Sequence, residues 1–243
     1  MAHLPVTPSE LAIAILLVAV GSLAQGSIGF GLAVIAAPIL LIVNPAFLPG
    51  PMLLAAMVLV TLMALRERGD VIVRDVWFGT IGRILGTLPA AYAVSVLPLA
   101  VYELLFASLI LMCVVLSALG WHIPSTPPNV IAAAILSGFS GTVSSVGGPP
   151  MALVYQMEKG PRIRSTLSAI FTVGSIVSLV GLWSVDRFGV VELLLGLLLL
   201  PGVFVGFALS RYTTGHVDRA HTRPAVLAVS AISAAAIFLR AIW

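Results

Sequence analysis

Two stretches of the 243-residue chain set small polar residues and glycines among apolar neighbours. The first reads Gln25-Gly26-Ser27-Ile28-Gly29-Phe30-Gly31, and the second Gly141-Thr142-Val143-Ser144-Ser145-Val146-Gly147-Gly148-Pro149-Pro150. Inside a helix glycine costs about 1 kcal/mol and proline about 3 relative to alanine, so neither stretch is expected to be continuously helical. A helix restarting within a membrane presents unpaired N–H groups and a positive dipole end, which suit an anion. Around such an anion, Ser27, Thr142, Ser144 and Ser145 would supply hydroxyl donors and Gln25 an amide, while Gly29, Gly31, Gly147 and Gly148 would open the backbone to it. The competing reading is that these small residues only let helices pack closely.

Arg83 is the one cation placed well inside an apolar run, between Gly82 and Gly86. It lies about seven residues into its segment, roughly 10 Å along a helix at 1.5 Å per residue. One reading makes it the charge that draws an anion inward, since intramembrane ionisable groups are costly and usually functional. The other lets it snorkel to the interface. Glu103, Glu192 and Arg240 stand near segment ends, where interfacial solvation accounts for them.

The elements that must position these residues are apolar segments. The chain is 60% hydrophobic and 9% charged, with a mean hydropathy of +1.17, which excludes a soluble protein and leaves no stretch for a separate catalytic or nucleotide-binding domain. Eight segments follow, at about 11–43, 46–65, 76–97, 99–120, 130–157, 165–185, 190–210 and 224–243. The first and fifth are the long ones that carry the breaks. Gly69, Gly82 and Gly86 recur 120 positions later as Gly189, Gly202 and Gly206, which points to a four-segment unit used twice. The glycine pairs fit close helix contact. Trp77, Trp121, Trp183 and Trp243 border segments as interfacial anchors do, and Cys113, the single cysteine, reads as a packing residue.

Charge selects a topology. If all eight segments span, the loops holding Lys159, Arg162 and Arg164 and holding Arg211, Arg219 and Arg223 fall opposite the loop with Arg66, Arg68 and Arg74, against the positive-inside rule. If the first and fifth segments are re-entrant hairpins, all three basic loops lie inside and Arg187 alone lies outside. Each half then crosses three times, so the halves are oppositely oriented, as in many secondary transporters. The expected fold is an all-α polytopic membrane protein of two inverted four-segment repeats with broken or re-entrant first and fifth segments. Residues 1–120 and 121–243 are the halves of one transmembrane transporter domain.

Other chemistries are disfavoured. Gly138-Phe139-Ser140-Gly141 resembles an intramembrane serine-protease motif, yet His3, His122, His216 and His221 lie outside or at the ends of apolar runs, so Ser140 lacks a base. The single lysine, Lys159, is not in a phosphate-cradling loop. His216, Asp218 and His221 lack a metal-ligand pattern. The chain is read as a non-enzyme with no cofactor, no metal and no nucleic-acid partner, since its pI near 9.5 reflects loop cations. The N-terminus lacks the basic region of a cleavable signal, so the first segment is expected to be retained.

At the two breaks the sequence resembles the TauE/SafE family of sulfite exporters and organosulfonate permeases. The likeness rests on Gly26-Ser-Ile-Gly29-Phe-Gly31 with Pro38, on Gly147-Gly148-Pro149-Pro150 leading into Tyr155, and on Gly69-Asp70-Val71 and Gly189-Val190-Val191 before the third and seventh spans. The resemblance implies a multi-pass transporter of two related halves in the bacterial cytoplasmic membrane, moving small sulfur-containing or carboxylate anions. The expected partners are a small anion and the lipid bilayer, with homo-oligomerisation left open. A passive anion channel, a carrier of a non-sulfur carboxylate and a non-transporting scaffold are the alternatives.

Overall fold

A computed structural model describes residues 4–29, 31–67, 71–119, 123–155, 161–213 and 219–242. These form ten α-helices, with no strand among the described residues: α1 (Pro8–Ile28), α2 (Leu32–Val43), α3 (Gly50–Glu67), α4 (Val73–Val96), α5 (Leu99–Leu119), α6 (Pro127–Ser144), α7 (Gly148–Tyr155), α8 (Pro161–Ser184), α9 (Val190–Thr213) and α10 (Arg219–Ile242). Each sequence segment became one helix, except the first and fifth, which became the pairs α1/α2 and α6/α7.

Local chemistry sets the breaks. At the start of α1 a capping box joins Thr7 and Glu10, with Pro8 in the first turn. Gly29 ends α1 in the left-handed region, φ 96°, its N–H donating to Gln25 O at 2.8 Å. Gly31, at φ 140°, opens α2. Ser145 ends α6 with φ 62°, a conformation non-glycine residues seldom adopt. Pro149 and Pro150 fall in the first turn of α7, where a missing N–H leaves no hydrogen bond unmade.

Both broken pairs double back. A Cβ at Gly21 of α1 would stand 2.8 Å from Leu32 O, and Asn44, just past α2, donates to Pro5 O at 3.0 Å and to Glu10 Oε2 at 3.2 Å. Ile123, before α6, donates to Leu153 O near the end of α7 at 3.4 Å. Each pair therefore folds back on itself. The first break differs in depth from a simple half-way interruption. It follows a helix of 21 residues, about 31 Å long, and only the return limb, at 12 residues, is a half-helix.

The helices interlace. α1 runs along α9, and α6 along α4; α3 packs on α8 and α9, and α5 on α10. The glycine pairs make the closest crossings. A Cβ at Gly82 would lie 2.6 Å from Ile131 O, and one at Gly86 would overlap Ile135 O, both on α6. On the other side, Cβ atoms at Gly202 and Gly206 would overlap Ile15 O and Ala19 O of α1. Cys113 is buried, with Sγ 3.8 Å from Val146 O, a packing position. Outside, large apolar residues such as Leu16, Trp77, Leu88, Trp183 and Ile232 are exposed, as a lipid-facing surface requires. Among the described residues, α1, α5, α8 and α9 are long and apolar enough to cross a membrane by length and composition. Trp121 and Trp243 lie outside the described residues.

Glu103 departs from expectation. It is 6% exposed, packed against protein rather than solvated at an interface, because it falls on the inward stripe of α5 with Tyr102, Phe106 and Ile110. Glu192 instead accepts from Gly189 N at 2.8 Å, capping α9.

The close crossings lead to a stability prediction. Gly86→Ala would press a methyl onto the α6 backbone and is expected to cost about 1–3 kcal/mol, read as a lower melting temperature in detergent. Gly148→Ala, whose Cβ would meet nothing within 4 Å, should melt like the parent.

Candidate functional site

The ends of the two hairpins meet at a cavity of about 70 Å³, enough for a few waters or a small anion. Of the residues proposed from sequence, Gln25, Gly29, Gly31, Arg83, Ser145, Gly147 and Gly148 line it. The first turns of α2 and α7 face it through Ala33, Val34 and Pro149, so two helix N-termini converge there. The α3 wall, Leu53, Ala56 and Val60, is apolar.

Arg83 supplies the only charged group of the lining among the described residues. Its side chain does not snorkel: the residue is 2% exposed and points between α6 and α8. Nη1 donates to Ser137 O at 3.1 Å and to Ser137 Oγ at 3.0 Å, and Ser137 Oγ donates in turn to Gly147 O at 2.6 Å. That chain ties the guanidinium to the second break. Nε has no hydrogen-bond partner among the described residues. Room for the group comes from missing side chains. A Cβ at Gly141 or Gly147 would sit 3.1 or 2.8 Å from Nη1, and one at Gly174 would overlap Nε.

Gln25 Oε1 accepts from Leu32 N at 3.0 Å, capping α2, so its NH₂ is the group left for a ligand. Ser145 Oγ donates to Pro49 O at 3.2 Å, pinning the strained residue to the start of α3.

Ser27, Thr142 and Ser144 are not in the cavity lining. Ser27 Oγ donates to Leu23 O at 2.7 Å and Ser144 Oγ to Ser140 O at 2.8 Å, each one helical turn back. Thr142 donates to Gly138 O at 2.8 Å and joins a buried hydroxyl cluster with Thr87 at 3.1 Å and Ser178 at 2.8 Å, which knits α4, α6 and α8. Lining residues not proposed as ligands from sequence include Gly141, Phe171 and Ser175; Ser137 and Gly174 shape the guanidinium's seat. Ser137, Gly138 and Gly141 share one face of α6 by helical spacing, a readable signal, whereas Gly174 and Ser175 sit in an apolar span without one. Phe30, Gly69, Asp70, Lys159, His216 and Asp218 lie outside the described residues, as does the His221 side chain.

These features, lipid-facing helices around a cavity where two broken hairpins and a buried arginine meet, are those of a multi-pass membrane transporter. The sequence matches the sulfite exporter TauE/SafE family over residues 13–237, nearly the whole chain, and the protein belongs to that family. Its members are transporters of sulfur-containing anions rather than enzymes. No curated protein and no solved structure matches the chain.

A buried guanidinium lacking a carboxylate is a stability cost that an apolar side chain of similar length removes. Arg83→Met is expected to raise the melting temperature of detergent-solubilised, anion-free protein, by about 1–4 kcal/mol of stability. A melting temperature below the parent's would show that the Ser137 bonds outweigh the buried charge.

Proposed function

We propose that this protein is a secondary transporter that carries a small sulfur-containing oxyanion, sulfite or an organosulfonate, across the bacterial cytoplasmic membrane by alternating access. The observation that carries this reading is Arg83: an inward-facing guanidinium, 2% exposed, with an unpartnered Nε at a cavity lined by both breaks. A buried cation with no carboxylate in reach among the described residues favours an anion as its partner. The Gln25 NH₂ and the backbone N–H groups of Gly31, Gly147 and Gly148 complete a donor shell, while Ser145 and Gly29, whose protons go to Pro49 O and Gln25 O, shape its wall. Ser27, Thr142 and Ser144 act in this reading as supports of the helices that carry the shell.

Two inverted halves, 1–120 and 121–243, are part of the proposal. The paired packing of α1 on α9 and α6 on α4, each through glycines four apart, supports a repeat. Contacts at the helix ends support inversion. At the open end of the first hairpin, Asn44 meets Pro5. The next helix, α3, begins with Gly50 beside Phe188, and the neighbouring Arg187 donates to Ser95 O at the C-terminal end of α4 at 2.9 Å. At the open end of the second hairpin, Tyr155 donates to Asp75 Oδ2 in the first turn of α4 at 2.8 Å. The hairpins thus open toward opposite ends of α4.

Proteoliposomes preloaded with unlabelled sulfite, sulfonate or carboxylate should accumulate labelled sulfite by counterflow, ranked by the preloaded anion. Arg83→Gln is expected to lower that flux about tenfold or more at unchanged protein level. Flux without accumulation would identify a channel. For the topology, single cysteines at Arg74 and Arg162 in a Cys113→Ala background should label from the same face. Labelling from opposite faces would refute the re-entrant fifth segment and with it inversion.

A further inference from the structure

We infer that the central site makes this carrier an anion exchanger: it passes readily between its two access states only with an anion bound, so one anion moves against another. This rests on the carrier reading above. Nη1 of Arg83 bonds only to neutral oxygens of Ser137, Nε has no partner, and no carboxylate lies within ion-pair reach of the group among the described residues. None of the described residues lining the cavity is acidic.

The charge is also fixed in place. The guanidinium is wedged against the break between α6 and α7 and against α8, where Cβ atoms at Gly147 and Gly174 would collide with Nη1 and Nε. It cannot swing to an interface to be solvated there. While the cavity is open to either side, water screens the guanidinium. Changing sides requires a state closed to both, and there an unpaired guanidinium loses its water without gaining a countercharge. A bound oxyanion supplies that countercharge through charge-assisted hydrogen bonds to Nε and the neighbouring donors. The loaded form therefore crosses the closed state faster than the unloaded one, and net flux, which needs the unloaded return step, lags exchange.

The test compares entry of labelled sulfite into proteoliposomes that hold unlabelled sulfite with entry into anion-free ones, the membrane potential being clamped with potassium and valinomycin. Exchange is expected to exceed net entry by about tenfold or more. Arg83→Lys, which keeps the charge, should keep a high ratio. Arg83→Gln should slow exchange while bringing the two rates together. Net entry as fast as exchange in the parent protein, or an undiminished ratio in folded Arg83→Gln, overturns exchange coupling and leaves the carrier standing. No sulfite entry in either mode, with protein shown to be folded, overturns the carrier reading itself.

Discussion

The rest of the structure depends on the enclosure of one guanidinium without a partner carboxylate. Burying a charge in protein surrounded by lipid is among the costliest arrangements a chain can hold, and here the cost is contained by neutral oxygens and by subtraction. Ser137 gives its carbonyl and hydroxyl to Nη1 and binds Gly147 O through the same hydroxyl. Glycines at 141, 147 and 174 leave the planar group room against main chain. Arginine suits such a seat better than lysine, because its fork of donors is fixed in direction and its charge is spread.

That seat requires helices to approach closely, and this requirement extends through the fold. Helix association in lipid gains little from burying apolar surface, so backbone proximity through small residues must supply much of the contact. α4 meets α6 through Gly82 and Gly86, one residue before and three residues after Arg83, so the contact that joins the helices also aims Arg83. The hydroxyl cluster of Thr87, Thr142 and Ser178 locks the same three helices one turn further along. Packing and binding are therefore not separable roles in this region. Thr142 holds the wall that holds the charge.

Much of this was legible in the sequence because membranes restrict what a chain can do. Backbone polar groups in lipid must be satisfied within helices, so apolar segments translate directly into helices, and glycine-proline runs into breaks. The breaks at residues 29–31 and 145–147 fall where the glycine-rich runs placed them, and each helix pair folds back on itself. Three features escaped. Hydroxyls at Ser27, Thr142 and Ser144 turned out to bond within their own helices, since a serine or threonine can return a hydrogen bond one turn back wherever it lies. Glu103 looked interfacial from its distance to a segment end, but burial depends on which side of the helix faces a neighbour. The seat from α8 at Gly174 was unreadable because a glycine in an apolar span carries no sign of what will lie against it.

The spacing that relates the glycine pairs also exposes where the two close crossings differ. At the offset that carries Gly82 and Gly86 onto Gly202 and Gly206, Arg83 falls on Val203, a buried apolar residue. The crossing of α9 on α1 is thus built like that of α4 on α6 but holds no charge. A nearby cation on that side, Arg66, serves a different end: it donates to Gly26 O at 2.9 Å and to Ser210 Oγ at 3.1 Å, and stacks over the Phe207 ring at 5.0 Å. It ties the end of α3 to the last turn of α1 and to α9, at the carbonyl end of a helix dipole where a cation is favourable. Shared architecture supplies two breaks and two close crossings, and a single side chain, present once, decides which of them holds the charge.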